Sequence, residues 1–140
     1  MKSPSDEEIA RVSEAWLALQ ATKDSQYDWS VDARERWREA GDYSAMLRLV
    51  LQLCRDVAPD DDEGIGMIGV SPLEDLIDGW PDAALSLVEK EVDSNPVLLQ
   101  ALKCVWTRQP AVRLRIDAIL AARGETRAVR ESKDTADDVC

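Results

Sequence analysis

Apolar residues return along this chain every three or four positions and almost never at every second one. Ile9, Val12, Trp16 and Leu19 keep that spacing, which places them on one face of a helix. Just upstream, Ser5-Asp6-Glu7-Glu8 has the form of a capping box, with Ser5 to accept from free N–H groups and acids in the positive first turn. The pattern predicts a first helix over residues 5–21, and the polar residues 22–28 read as a loop. A shorter amphipathic helix is expected over 31–40, carrying Trp37 among charges and stopping at Gly41. Asp42 can cap a third. There Met46, Leu49, Val50, Leu53, Cys54 and Val57 form one stripe while Leu47 and Leu51 fall on another face. A helix apolar on more than one face belongs at the centre. This one should end before Pro59.

Proline punctuates the second half. Ser71-Pro72-Leu73-Glu74 reads as a second capping box with proline at the first helical position, and Gly79 can close that short helix. Pro81 opens another, with Leu85, Val88 and Val92 on one face. Asn95-Pro96 leads into Leu98, Leu102, Val105 and Trp106, and Pro110 into Val112, Ile116, Ile119 and Leu120, ending at Arg123-Gly124. No alternating run of β-branched residues and no Asn-Gly hairpin turn interrupts this. The expectation is all-α: a compact bundle of six or seven short helices in antiparallel hairpins, with a short solenoid-like stack as the alternative arrangement. Residues 1–124 should form a single helical domain and residues 125–140 a polar, disordered tail.

Composition adds three things to this picture. Trp is frequent and Phe absent, so Trp16, Trp29, Trp37, Trp80 and Trp106 are expected to be the large pieces of the core. Cys54, Cys104 and Cys140 are odd in number and widely spaced, which is no disulfide framework, and Cys54 and Cys104 lie in apolar runs as small buried hydrophobes. No stretch approaches the roughly 20 apolar residues of a membrane span, and the opening residues lack the basic and apolar parts of a secretory signal. Together these favour a cytoplasmic location.

Charge is more informative. Between Asp56 and Asp93 stand twelve acids against one base, Lys90, whereas the rest of the chain holds sixteen of each. The whole net charge of −11 therefore resides in the middle third. Nucleic acid and anionic membrane are poor partners for such a segment, and a protein with a basic surface is a good one.

Candidate chemistry is sparse. The chain has no histidine, which removes the usual general base of nucleophilic triads and the usual imidazole ligand of zinc sites. Gly64-Ile65-Gly66-Met67-Ile68-Gly69 is a literal G-x-G-x-x-G, but Asp60-Asp61-Asp62-Glu63 precedes it where a dinucleotide fold has a strand, and those carboxylates would repel a phosphate. A flexible turn, or a short helix frayed by glycine, is the simpler reading. A calcium loop counted from Asp60 reaches Ser71 at its final position, and from Asp61 it reaches Pro72, so neither supplies the closing acid. Glu74 and Asp78, one helical turn apart, could face a substrate but equally form the solvated side of an amphipathic helix. Lys103, Arg108, Arg113 and Arg115 make a modest basic cluster near the last helices. No catalytic, cofactor or metal residue is assigned.

The box Ser71-Pro72-Leu73-Glu74-Asp75-Leu76, followed by Leu87-Val88-Glu89 and by Ala101-Leu102-Lys103-Cys104-Val105-Trp106, resembles an uncharacterised bacterial family of small helical proteins. The resemblance covers residues 42–120 and is carried chiefly by Pro-Leu-Glu-Asp-Leu. Ser71 stands where many relatives are expected to have glycine. The resemblance implies a fold and no activity. The functional expectation therefore comes from charge: a non-enzymatic binding module, of the immunity type that neutralises a bacterial toxin, presenting Asp60, Asp61, Asp62, Glu63, Glu74, Asp75, Asp78 and Asp82 to a basic partner. A phage-encoded inhibitor of a host defence complex would look the same. The alternatives are an enzyme built on Asp60, Asp62, Glu74 and Asp78 with a divalent metal, and a helical adaptor with no inhibitory role.

Overall fold

The computed structural model describes residues 3–128. Among them are eight α-helices: α1 (Asp6–Thr22), α2 (Trp29–Glu39), α3 (Tyr43–Asp56), α4 (Asp62–Ile68), α5 (Glu74–Gly79), α6 (Pro81–Glu91), α7 (Pro96–Leu102) and α8 (Pro110–Ala121). A single 3-10 turn, Ser25–Tyr27, precedes α2, and a π turn, Gly69–Leu73, joins α4 to α5. The described residues contain no strand, and the fold is all-α. Counting α4, the π turn and α5 as one run gives seven helical bodies. Of the tail expected to be disordered, residues 129–140 lie outside the described residues.

The helix ends follow the side-chain chemistry that marks them in the sequence. Ser5 accepts from the Glu8 N–H at 3.1 Å, Asp42 from Ala45 at 3.0 Å and Asn95 from Leu98 at 3.1 Å. Each thereby satisfies one of the orphan donors of a first turn. Gly41 and Gly124, with φ of 69° and 72°, take the left-handed position beyond α2 and α8. The following N–H groups, of Asp42 and Glu125, reach back to the carbonyls of Trp37 and Leu120 at 2.9 Å. That closure uses carbonyls the helix leaves free.

α3 is central, as its two apolar faces require. Ala45, Met46, Leu49, Val50 and Leu53 are almost wholly buried, and α3 packs against α1, α2, α4, α5, α7 and the π turn. A solenoid packs each repeat on its neighbours alone; here one helix collects partners from both halves of the chain, so the arrangement is a bundle. α6 packs on α5 and carries α8. Trp16 enters the core, while Trp37 and Trp80 pack against it half-buried. Trp80 meets Tyr43 edge to face, with ring centroids 5.5 Å apart. Trp29 departs from expectation: it is 42% exposed and is not a core residue.

The larger corrections concern residues 60–74. The acidic run was expected to form a solvated loop, and the glycines a flexible turn or a short helix; the helix is what forms, and it takes in the last two acids, over Asp62–Ile68. Asp61 caps it, accepting from the Gly64 N–H at 2.9 Å, and the acids at its start suit the positive helix end. Ser71 therefore has no helix start to cap, since residues 68–74 already continue in right-handed helical geometry. Pro72 lacks an N–H, and its ring would strike the carbonyl four residues back in a regular α-helix. The wider π turn accommodates it without ending the helix.

The G-x-G-x-x-G spacing also acquires a packing meaning. A Cβ on Gly69 would lie 2.2 Å from the Ala101 carbonyl oxygen and 2.8 Å from Cys104 Cβ. The π turn and α7 thus approach to backbone contact at this point. Gly69→Ala is expected to destabilise the protein by about 3 kcal/mol, since the obstruction is backbone that cannot swing aside. Gly79→Ala, whose Cβ would meet nothing within 4 Å, should be neutral or stabilising by about 0.5 kcal/mol. Urea denaturation of the two variants checks the contrast.

Candidate partner-binding surface

The carboxylates expected to form one acidic face are divided by the fold into those used internally and those left outward. Glu74 is half-buried and accepts the backbone N–H of Trp106 at 2.7 Å, tying α5 to the segment after α7. Asp75 receives the Arg34 guanidinium at 2.5 Å, and the same guanidinium donates to Ser71 Oγ at 3.1 Å. Arg34 is 8% exposed, so α2 sends a buried cation across to the π turn and α5. The two polar residues of the supposed capping box serve instead as long-range acceptors: Ser71, with Asp75, holds Arg34, while Glu74 holds Trp106. Asp82, at the start of α6, pairs with Arg115 of α8 at 2.9 Å.

Asp60, Asp62 and Glu63 behave differently. They stand exposed on the turn into α4 and its first residues, with no side-chain hydrogen bond or ion pair among the described residues. Asp61, between them, is spent on its cap. The α4 start forms a crest between two grooves of about 290 Å³ each. One holds Asp62 with Ile65, Gln100 and Lys103; the other holds Asp61 and Glu63 with Leu17, Lys23 and Met67. Asp78 is exposed at the far end of the run, bordering clefts that contain Arg38 and Trp80 on one side and Thr107 and Arg108 on the other. The predicted set is therefore two separate patches, Asp60–Glu63 and Asp78–Asp82, with Glu74 and Asp75 withdrawn between them.

This geometry bears on the other chemistries. Among the described residues no three His, Cys, Asp or Glu side chains assemble as a metal-ligand group. Glu74 is engaged by Trp106, so it does not stand beside Asp78 as a second free carboxylate. Of the basic cluster, Arg115 is engaged by Asp82, and Lys103 by Glu125 at 3.3 Å. Cys54 is a buried free thiol whose burial pushes its pKa up to about 12, which makes it inert as a nucleophile. Cys104 is buried, as expected. No helix among the described residues is long and apolar enough to cross a membrane.

One concave site escaped the sequence reading. A groove of about 300 Å³ between α1 and the start of α2 is lined by Arg11, Glu14, Ala15, Ala18, Gln26, Tyr27 and Trp29. Its signal was the spacing Ser30, Ala33, Arg34 and Trp37, the face α2 turns inward. That spacing leaves Trp29 at the edge of the face. The polarity of Ser30 and Arg34 conceals it, because both read as solvated.

A family of unknown function, DUF6869, matches residues 18–124. The chain belongs to that family. The match contains the Pro-Leu-Glu-Asp-Leu box and extends upstream of the resembling stretch to include α2 and the end of α1. No curated protein and no solved structure matches the chain.

Two outcomes follow from the site's chemistry. Asp75→Ala leaves Arg34 buried without its carboxylate and should cost about 2 kcal/mol, while adding Arg34→Met should recover much of that loss; chemical denaturation of the single and double variants reads both. For Cys54, the unfolded thiol ionises near its ordinary 9.0 while the folded thiol keeps its proton to about 12. The unfolded state thus binds fewer protons in that window, and stability should fall as pH rises through it. Cys54→Ala should flatten the slope of stability against pH measured there.

Proposed function

We propose that this protein is a protein-binding inhibitor module, of the immunity type that neutralises a toxin, and that it meets a basic partner through the acidic crest at the start of α4. The observation that carries the reading is the division among the acids: Glu74 and Asp75 serve the fold, while Asp60, Asp62 and Glu63 have no internal partner among the described residues and sit at the edge of a packed helix. Carboxylates free of internal pairs keep their full field for an incoming cation and accelerate encounter with a basic surface. Asp78 and Asp82 form a second, lesser patch of the same sign. The cytoplasmic location belongs to this proposal and rests on the sequence.

The test is capture of the partner by the tagged protein in its native cell, repeated with Asp60→Asn, Asp62→Asn and Glu63→Gln combined. Asp61 is kept, because its cap holds the helix. The triple variant should fold with a melting temperature lowered only slightly, by the loss of two acids from the positive end of α4, bind the captured basic protein about tenfold more weakly, and lose most of the salt dependence of association. Equal capture with an unchanged salt dependence would sink the acidic-crest reading.

A further inference from the structure

Beyond α8 the chain stays on the domain. Gly124 turns it back with a left-handed φ of 72°, and residues 125–128 are fastened across the end of α7. Glu125 accepts from Lys103 Nζ at 3.3 Å, and the Ala128 N–H donates to the Lys103 carbonyl at 2.8 Å. Arg127 lies over the Trp106 ring, 4.7 Å from its centroid, while its Nε pairs with Asp117 at 2.8 Å. This strap forms one wall of the groove of about 290 Å³ that also holds Asp62. Ile65 and Gly66 of α4, with Cys104 just past α7, line it as buried residues. Two polar groups of the lining lack a partner among the described residues. One is the exposed Asp62 carboxylate; the other is Arg127 Nη1, a buried donor with no acceptor. The Lys103 cation is already engaged by Glu125, and Arg127 Nε by Asp117.

We infer that this groove seats the chain's own next residues, Val129-Arg130-Glu131, and that Arg130 there guards Asp62 against other cations. Ala128 is already part of the groove wall, so Val129 begins one Cα step, about 3.8 Å, away. The three side chains match what the groove lacks. Val129 covers the apolar surface of Ile65 and Cys104. The Arg130 guanidinium meets the unengaged Asp62 carboxylate, a pairing its planar fork suits. Glu131 supplies the acceptor missing at Arg127 Nη1, and a buried donor left unmade is costly enough to draw one in. Further along, Asp134, Asp137 and Asp138 are repelled by the acidic crest, so the seated stretch ends before them.

Covalent attachment makes the contact intramolecular, with an effective concentration on the order of millimolar. Arg130 therefore competes with any weakly bound cation for one acid of the crest, while a broad basic surface that engages several acids at once displaces it. The docking of residues 129–131 stands on the groove alone. Its guarding role rests on the acidic crest being the partner surface.

Methyl-labelled full-length protein gives the direct measurement. Cross-relaxation between the Val129 methyls and the Ile65 δ-methyl is expected, and Val129→Asp should abolish it and shift the Ile65 resonance. No such contact, with the amides of residues 129–131 relaxing as free chain, overturns the docking. The guard is read with a capped tetra-lysine peptide at low salt. Arg130→Gln should bind it about threefold more tightly than the parent, and that gain should vanish in an Asp62→Asn background. Arg11→Gln makes the same change in net charge at an exposed position on α1 and should bind as the parent does. An equal gain from Arg11→Gln, or a gain from Arg130→Gln that survives Asp62→Asn, assigns the effect to net charge and overturns the guard. The two readings fail separately. A failed crest test in partner capture beside a positive Val129–Ile65 contact removes the crest and the guarding role and leaves the docking. A missing contact beside a successful crest test removes this inference alone.

Discussion

Where the π turn meets α7 there is no room for a side chain. The hydrogen of Gly69 faces the carbonyl of Ala101 at a separation that would put a Cβ at 2.2 Å. That backbone contact positions the run from Asp62 to Gly79 against the rest of the bundle, and the features on either side of it depend on the placement. At one end it delivers Asp60, Asp62 and Glu63 to the surface. In the middle it brings Glu74 within 2.7 Å of the Trp106 N–H and Asp75 within 2.5 Å of Arg34. At the other end it leaves Asp78 at the mouth of two clefts. A proline that would normally end a helix is tolerated because the π geometry removes the clash at the point where the close approach is needed.

The surface is shaped by how polar groups are spent. Burying Arg34 requires a carboxylate and a further acceptor, since a lone buried cation is far costlier than a buried apolar residue. Asp75 and Ser71 supply these. The consequence reaches the surface: each acid recruited inward leaves the acidic segment less uniform, so a middle third that nets −11 in sequence becomes two patches in space. Net charge governs long-range attraction. The acids that could touch a partner are those the interior does not need.

The α1–α2 groove follows from the same logic in reverse. α2 is short, and its inward face carries Ser30, Ala33 and Arg34 with Trp37 partly buried. Such a face spends little apolar bulk, and Trp29 remains outside at the edge of it. An exposed tryptophan lining a concavity with charged neighbours is a surface that something else can cover.

Local chemistry in the sequence determined where most helices start and stop. A cap at Ser5, Asp42 or Asn95 and a left-handed glycine at Gly41 or Gly124 act within one turn of chain, so they are legible without the fold. The centrality of α3 was legible too, because apolar residues on two faces can be satisfied only by neighbours on both sides. The tertiary structure alone decided residues 60–75. Ser71 and Glu74 have the spacing of a cap, yet the helix already runs through them, and their acceptors serve donors 37 and 32 positions away. Gly69, one of the glycines that the local pattern leaves as a turn or a frayed helix, is where α7 approaches. Trp29 reads as core and is not, since its fate depends on which face of α2 meets α1 and α3. Local pattern specifies which groups need partners; only the packed chain decides which partners arrive, and so which acids and which tryptophan are left for another molecule.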